Sequence, residues 1–344
     1  MKVSQLKAIC QKLRPGLDRQ KSLIEHFRHI CFTGTNIITF NERICIAHPF
    51  ETEFTCSVMG YDFIDVISNL PQNSDIQLRM VKGKLRIRGA GTSIKMSTFD
   101  ESALTSAYSD IFKEELDWKP LPVDFMKAIN LCHFSVAKDL TRLYLNYINV
   151  STDNVTSSDN LRISRYDLES SIDEGFFIPG VVCRPLLQYP VQTYALFKPW
   201  IGFKTAEGVQ FFCRTSDVSD FPDVSGLFDF EGETFNLPTE LKQIVESLAV
   251  ITEEEFLTDR HMTVTIKDNK VSCFVEKSTV SANRWVETDI TKDITFIINP
   301  IFFKEILEQT RTIKIANGRA LFTTGKFKHL LSLPIKNVVE EVPQ

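Results

Sequence analysis

Apolar residues recur along this chain in short blocks at helical spacing, separated by stretches where they alternate with polar ones. Val3, Leu6, Ile9, Cys10 and Leu13 lay one apolar stripe along a helix that Pro15-Gly16 ends. Leu241, Ile244, Val245 and Leu248 repeat the stripe, with Pro238 near its start, where a missing N–H costs nothing. Between helices the period changes to two. Gln77–Val81 and Lys84–Arg88, joined at Lys82-Gly83, read as a hairpin with one buried and one charged face. Met262–Ile266 and Val271–Val275, joined by Lys267–Lys270, read the same way.

The pattern repeats at a period near 120 residues. Gln5–Ile9, Phe125–Ile129 and Glu240–Ile244 form one set of helical segments. Phe63–Ile67, Val182–Leu187 and Phe302–Leu307 form a second, in which Ile67, Leu187 and Leu307 stand 120 positions apart. Self-similarity at a fixed period marks one supersecondary unit used several times. The predicted class is α+β: three repeated domains, each an antiparallel sheet backed by two helices. The polar stretches Glu114–Pro120 and Asp229–Glu233 divide them at 1–115, 116–234 and 235–344, the last with a short acidic tail at 337–344. A curved or ring-shaped scaffold is expected from such a chain rather than a single-pocket enzyme.

Composition narrows the function. A length of 344 residues suits two or three domains, and 43% hydrophobic with 24% charged residues is ordinary for a globular protein. There is no apolar leader after Met1 and no run of about 18 apolar residues, so a cytoplasmic protein with no membrane partner is expected. The eight cysteines stand singly, without CxxC or a nearby histidine pair, and read as small core residues. The net charge of −5 is uneven. Residues 1–115 hold fifteen cations against thirteen carboxylates, 116–234 ten against sixteen, and 235–344 fourteen against fifteen. Proteins that grip nucleic acid by charge are basic overall. Any such contact here must be local and weak, or depend on topology.

Catalytic chemistry is not legible. G-x-G-x-x-G, Walker A, H-E-x-x-H and G-x-S-x-G are all missing from the sequence. His26 and His29 are three apart but lack further ligands, so no metal and no cofactor is expected. Glu51 and Glu53 alternate along an expected strand, Glu253–Glu255 is a surface run, and the Asn154-Val155-Thr156 sequon has no meaning without secretion. The chain reads as a non-enzyme.

The middle third carries Phe134–Lys138, Arg142–Asn146, Ser158–Ile163, Phe177-Ile178-Pro179 and Phe221-Pro222-Asp223, in that order. These blocks resemble the middle domain of the bacterial sliding clamp, the beta subunit of the replicative DNA polymerase. The leading helix and basic hairpin resemble its first domain, and the Leu331–Pro334 strand its last. The resemblance implies a head-to-tail homodimer, a ring of six domains whose helices line a hole around double-stranded DNA. It holds DNA by topology, independent of base sequence, and confers processivity as a replication accessory subunit. On that basis Arg14, Arg19, Lys21, Lys127, Lys138 and Lys242 are the DNA-facing candidates, with Lys7, Lys127 and Lys242 at equivalent helix positions. Glu240 and Glu246 make the third lining less positive.

The resemblance also implies a subunit contact and a pocket. Ile94 and Met96, on an edge strand after the basic hairpin, are expected to pack on Val250 and Ile251 of the partner copy, beside Glu253–Glu255. The pocket receives short peptides from DNA polymerase, the clamp loader and repair proteins. Its positions fall on Leu145, Ser158, Arg162, Ile163, Pro222, Leu227, Asn299, Phe302, Leu331, Leu333, Pro334 and Ile335, an apolar groove with a few polar fixers. Asn160 and Leu161 depart from the family's usual Gly and His. The loop between Leu145 and Ser158 is short, and the acidic tail past Lys336 is expected to shield the groove. The alternative reading is a monomeric clamp-fold accessory factor that closes no ring.

Overall fold

The computed structural model describes residues 1–334 except 19–23, 90, 101, 113–114, 139–142, 217–220, 253–258 and 317. The chain forms two compact units, Met1–Met126 with Glu169–Asp217, and Lys127–Leu168 with Val218–Gln344.

In the first unit the helix Val3–Leu13 buries Val3, Leu6, Cys10 and Leu13, the residues of the predicted stripe. It ends in the 3-10 turn Arg14–Gly16. Only glycine fits at its end, because a Cβ on Gly16 would lie 2.3 Å from Thr39 Oγ1, the hydroxyl that donates to the Leu13 carbonyl. The helix packs on Gly60–Ser68, whose Phe63, Ile64 and Ile67 are buried. Lys7 Nζ donates to the Ser68 carbonyl at 2.6 Å, placing a cation on a helix C-terminus.

An eight-stranded antiparallel sheet in this unit joins residues of the first and middle thirds. Its order is Thr55–Met59, His29–Thr33, Asn36–Phe40, Ile44–Pro49, Gln210–Arg214, Trp200–Thr205, Val191–Phe197 and Lys119–Pro120. The seam pairs Cys45 with Phe212 and Ile46 with Phe211. Ile44–Ala47 and Phe211–Cys213 are buried at every position, so these central strands read as continuous apolar runs. A separate three-stranded sheet, Ile76–Val81, Lys84–Gly89 and Thr92–Ser97, alternates instead. Its first turn is the predicted Lys82-Gly83, both at positive φ (51° and 69°), as a two-residue hairpin requires.

The second unit repeats the scheme. Arg162–Asp167 of the middle third pairs with Phe327–Ser332 of the last, Ile163 opposite Leu330. Tyr147–Val150 and Asn154–Ser158 extend the sheet on one side, and Arg319–Thr324, Thr312–Ala316 and Glu233–Asn236 on the other. A four-stranded sheet runs Val280–Glu287, Lys270–Lys277, Met262–Lys267, Ile294–Ile298. Helices Leu241–Ala249 and Pro300–Leu307 pack together, and Leu241, Ile244, Val245 and Leu248 are buried as the spacing predicts.

Three expectations change in detail. Glu51 and Glu53 lie on a loop, because Phe50 and Thr52 donate their N–H groups to Thr35 and Gly34 of the preceding hairpin instead of to a neighbouring strand. The Lys267–Lys270 connection is tighter than predicted: those residues pair, with Asp268 and Asn269 alone in the turn. The final strand is Phe327–Ser332, and Leu333 leaves it to donate to the Gly318 carbonyl. The helix Ser102–Ser109 was not signalled by periodicity. All eight cysteines are buried thiols.

Candidate functional site

The groove candidates all belong to the second unit, so their mutual geometry is defined, and Arg162 is their centre. Ser158 and Ile163 pair across a tight turn in which Asp159 N donates to the Arg162 carbonyl. Ser158 Oγ donates to that carbonyl at 3.0 Å, and Asp159 Oδ1 accepts from the N–H groups of Leu161 and Arg162. Asn160 sits in the turn at φ 73°. That is the left-handed region, which asparagine tolerates better than most residues.

This turn aims the Arg162 side chain inward, where it is 7% exposed. Nε donates to Asp159 Oδ2 at 2.9 Å, Nη1 to Glu305 Oε2, and Nη2 to the Phe134 carbonyl at 2.6 Å. The guanidinium lies 4.0 Å from the Phe302 ring centre and 5.3 Å from that of Phe134. A planar fork stacked on aromatic faces suits arginine and not lysine. Ile163 packs against Val224, Phe228, Leu321 and Leu330. Leu331 pairs with Arg162 across the seam. Asn299 caps the helix that carries Phe302, its Oδ1 accepting from Ile301 N and Phe302 N at 2.9 and 3.3 Å.

Ser158, Arg162, Ile163, Phe302 and Leu331 are thus joined by pairing or stacking. Leu227 is 44% exposed on the short turn that also carries Val224 and Phe228. Pro222 and Pro334 are exposed, whereas Leu145 and Leu333 are core. The contacts described do not bring Leu145, Pro222, Leu333 or Pro334 onto Arg162. Ile335, the tail and Glu253–Glu255 lie outside the described residues. Two open clefts lie elsewhere. One of about 570 Å³ is lined by Asn236–Glu240, Glu287–Asp289 and Arg311, and one of about 660 Å³ by Phe50–Phe54, Ile76–Met80 and Met1.

Sequence reasoning missed Glu305, Asp159 and His329. His329 is fully buried opposite Ser164, with Nδ1 2.8 Å from the Ser164 hydroxyl, which is itself 2.7 Å from Ser135 Oγ. Among the described residues Nε2 has no hydrogen-bond partner. Burial, and secondarily the Arg162 charge, hold its pKa well below the ordinary 6.5, so the imidazole stays neutral in the fold. The unfolded chain takes up the proton first, so stability present above pH 6.5 is lost as the pH falls below it. His29 and His48 are shifted the same way, mainly by burial. Melting temperature is therefore expected to fall from pH 6.5 towards about pH 5. A His329→Asn variant should show a shallower fall, read by calorimetry, with the remaining slope due to the other two. An identical slope would contradict the assignment.

The DNA-facing candidates do different local work. Arg14 is exposed with its guanidinium 5.9 Å from the Tyr61 ring centre, and Lys127 stands 5.9 Å from that of Tyr166. Lys138 is exposed. Lys242 lies 3.8 Å from both Glu246 and Glu308. Arg19 and Lys21 lie outside the described residues.

Of the subunit-contact candidates, Ile94 and Met96 are half-buried on the edge strand Thr92–Ser97, opposite the buried Ile87 and Leu85. Val250 is 62% exposed and Ile251 half-buried, in a turn after the helix Leu241–Ala249.

No family model matches the sequence, and no curated protein matches it. Solved structures do match the fold. A sliding clamp (DNA polymerase III subunit beta) from Pseudomonas aeruginosa bound to griselimycin aligns with a TM-score of 0.81 at 13% identity, over 97% of this chain and 98% of that one. The beta subunit of the Streptococcus pyogenes DNA polymerase aligns at 0.78 with 19% identity, and the DNA polymerase III beta chain of Streptococcus pneumoniae at 0.78 with 18%, over the same shares. Repeated helix pairs, sheets that run from one sequence third into the next, and these likenesses lead to one conclusion: the chain has the fold of the DNA polymerase sliding clamps.

Proposed function

We propose that this chain is one half of a DNA sliding clamp, a non-catalytic ring that encircles duplex DNA and tethers a polymerase to it. The observation that carries the reading is an unfinished third seam. Ile44–Pro49 pairs with Gln210–Arg214, and Arg162–Asp167 with Phe327–Ser332. The strands in the same places of the remaining sheets, Val280–Glu287 and Thr92–Ser97, are both edges. Unpaired edges invite pairing. A second copy, joined head to tail, would complete the seam twice and close the assembly. The three-part division at 115 and 234 belongs to the same reading.

The register follows from the two existing seams. Counting from the equivalent turns at Thr33–Asn36, Ser151–Asn154 and Lys267–Lys270, Asn283 corresponds to Cys45 and Ile163. Counting from the turns that open the last strands, Lys95 corresponds to Phe212 and Leu330. Asn283 of one copy should then face Lys95 of the other, which sets Ile94 and Met96 beside Arg284 and Ala282, on the sheet face that carries the buried Val271, Cys273 and Val275. A net charge of −5 suits a ring held by topology, with few phosphate contacts. The groove around Arg162, with Leu227 exposed on its flank, is the proposed dock for short peptides of polymerases, loaders and repair proteins.

The test is a pair of substitutions, Asn283→Cys and Lys95→Cys, oxidised in the presence of a circular plasmid. The expected product is a covalent dimer that stays on the circle in detergent and leaves once the DNA is cut. Failure to cross-link, or cross-linking without retention, counts against the ring.

A further inference from the structure

The three-stranded sheet presents a strongly cationic outward face. Residues 76–99 contain six cations (Arg79, Lys82, Lys84, Arg86, Arg88 and Lys95) and no carboxylate, within a protein of net charge −5. The strand registers set Arg79 opposite Arg86 and Arg86 opposite Lys95, three cations in one row across the sheet. Like charges facing each other across strands are destabilising. Nothing in the fold relieves this row: among the described residues none of the six has an ion-pairing carboxylate, and Arg86 Nε only donates to Ser93 Oγ at 3.2 Å. The opposite face holds the buried Ile76, Leu85 and Ile87, so the pleat fixes the cations outward. All but the half-buried Arg86 are exposed.

We propose that this face binds the sugar–phosphate backbone of nucleic acid, at a site separate from the candidate ring lining. Lys84, Arg86 and Arg88 stand two residues apart on one strand, about 6.8 Å, with neighbouring strands about 4.8 Å away, which makes a grid of donors for a chain of regularly spaced anions. The face offers almost no apolar anchor, Val81 being 36% exposed. An acidic peptide would need one to dock with any specificity. The choice of nucleic acid over such a peptide rests on the clamp reading; the polyanion site itself does not. The contact is independent of base sequence and sensitive to salt.

Arg79→Gln with Arg88→Gln tests it, since both lie off the proposed subunit seam and on the exposed face. Binding of the full chain to a short fluorescent single strand, and to its duplex, is measured by anisotropy over a salt series. The double variant should bind about tenfold or more weakly and lose about two from the slope of log affinity against log salt, with unchanged mass and melting temperature. The stronger of the two probes identifies the form of nucleic acid. Unchanged affinity and slope would overturn the proposal. A glutamate-rich peptide that binds as tightly, with the same loss in the variant, would overturn it in favour of an acidic protein partner. Retention of the cross-linked dimer on circular DNA is scored separately, so failure of the ring and failure of this face are distinguishable.

Discussion

Replacing Arg162 with methionine is expected to lower the stability of the second unit by about 3 kcal/mol, among the larger losses available to a single substitution. The guanidinium holds Asp159, Glu305 and the Phe134 carbonyl together and stacks on Phe302. Removing one member of a buried ion pair leaves a charge without water or partner, which costs about 3–5 kcal/mol. The lower end applies, because the Glu305 side chain is 38% exposed and regains solvent. Asp159, at 13%, and the Phe134 carbonyl do not regain it so readily. Arg162→Lys should recover little, since a point charge cannot serve three acceptors in a plane. Chemical denaturation followed by probes in each unit checks this; a loss below about 1 kcal/mol would show that the cluster is not a structural centre. The internal use of all three nitrogens bears on function. In the proposed peptide dock Arg162 is engaged by internal partners, which leaves the apolar flank around Leu227 and Ile163 for a bound peptide.

Val250→Lys should abolish assembly while leaving the chain folded. Val250 is 62% exposed, so a lysine there changes folding by no more than about 0.5 kcal/mol. In the proposed ring the same residue is covered by the partner's Ile94 and Met96, and a buried charge without a partner costs about 2–3 kcal/mol. Two-fold symmetry applies that cost at both contacts. The dimer dissociation constant should therefore rise by about a thousandfold or more. Sedimentation equilibrium reads the constant and a thermal melt reads the fold. An unchanged constant removes Val250 from the contact.

How much of this was legible beforehand differs between elements for physical reasons. The helix Leu241–Ala249 and the hairpin at Lys82-Gly83 could be read directly, because a 3.6-residue stripe and a positive-φ turn are local signals. The seam strands were harder. Phe211–Cys213 is buried on both faces, and a continuous apolar run has no period to reveal its partner. Glu51 and Glu53 alternate like a strand, but their backbone is committed to the preceding hairpin, which no side-chain pattern records. At the proposed groove, the block Ser158–Ile163 was singled out by resemblance, and it contains the Asp159–Arg162 pair. Glu305 is 143 positions from Arg162, and nothing in either local sequence announces the pairing. His329 looked like one scattered histidine among six until the strand register set it against Ser164. Asp159 and Arg162, three apart across an asparagine turn, were the one part of the cluster that a local reading could have found.

The ring is tested most directly by the mass of the unmodified protein in solution, measured by light scattering over a dilution series. Two seams per assembly should give a mass of twice 39.3 kDa that persists on dilution. A mass of 39.3 kDa at every concentration would leave the fold intact and contradict the ring, making the chain a monomeric accessory factor that holds its polymerase by direct contact alone.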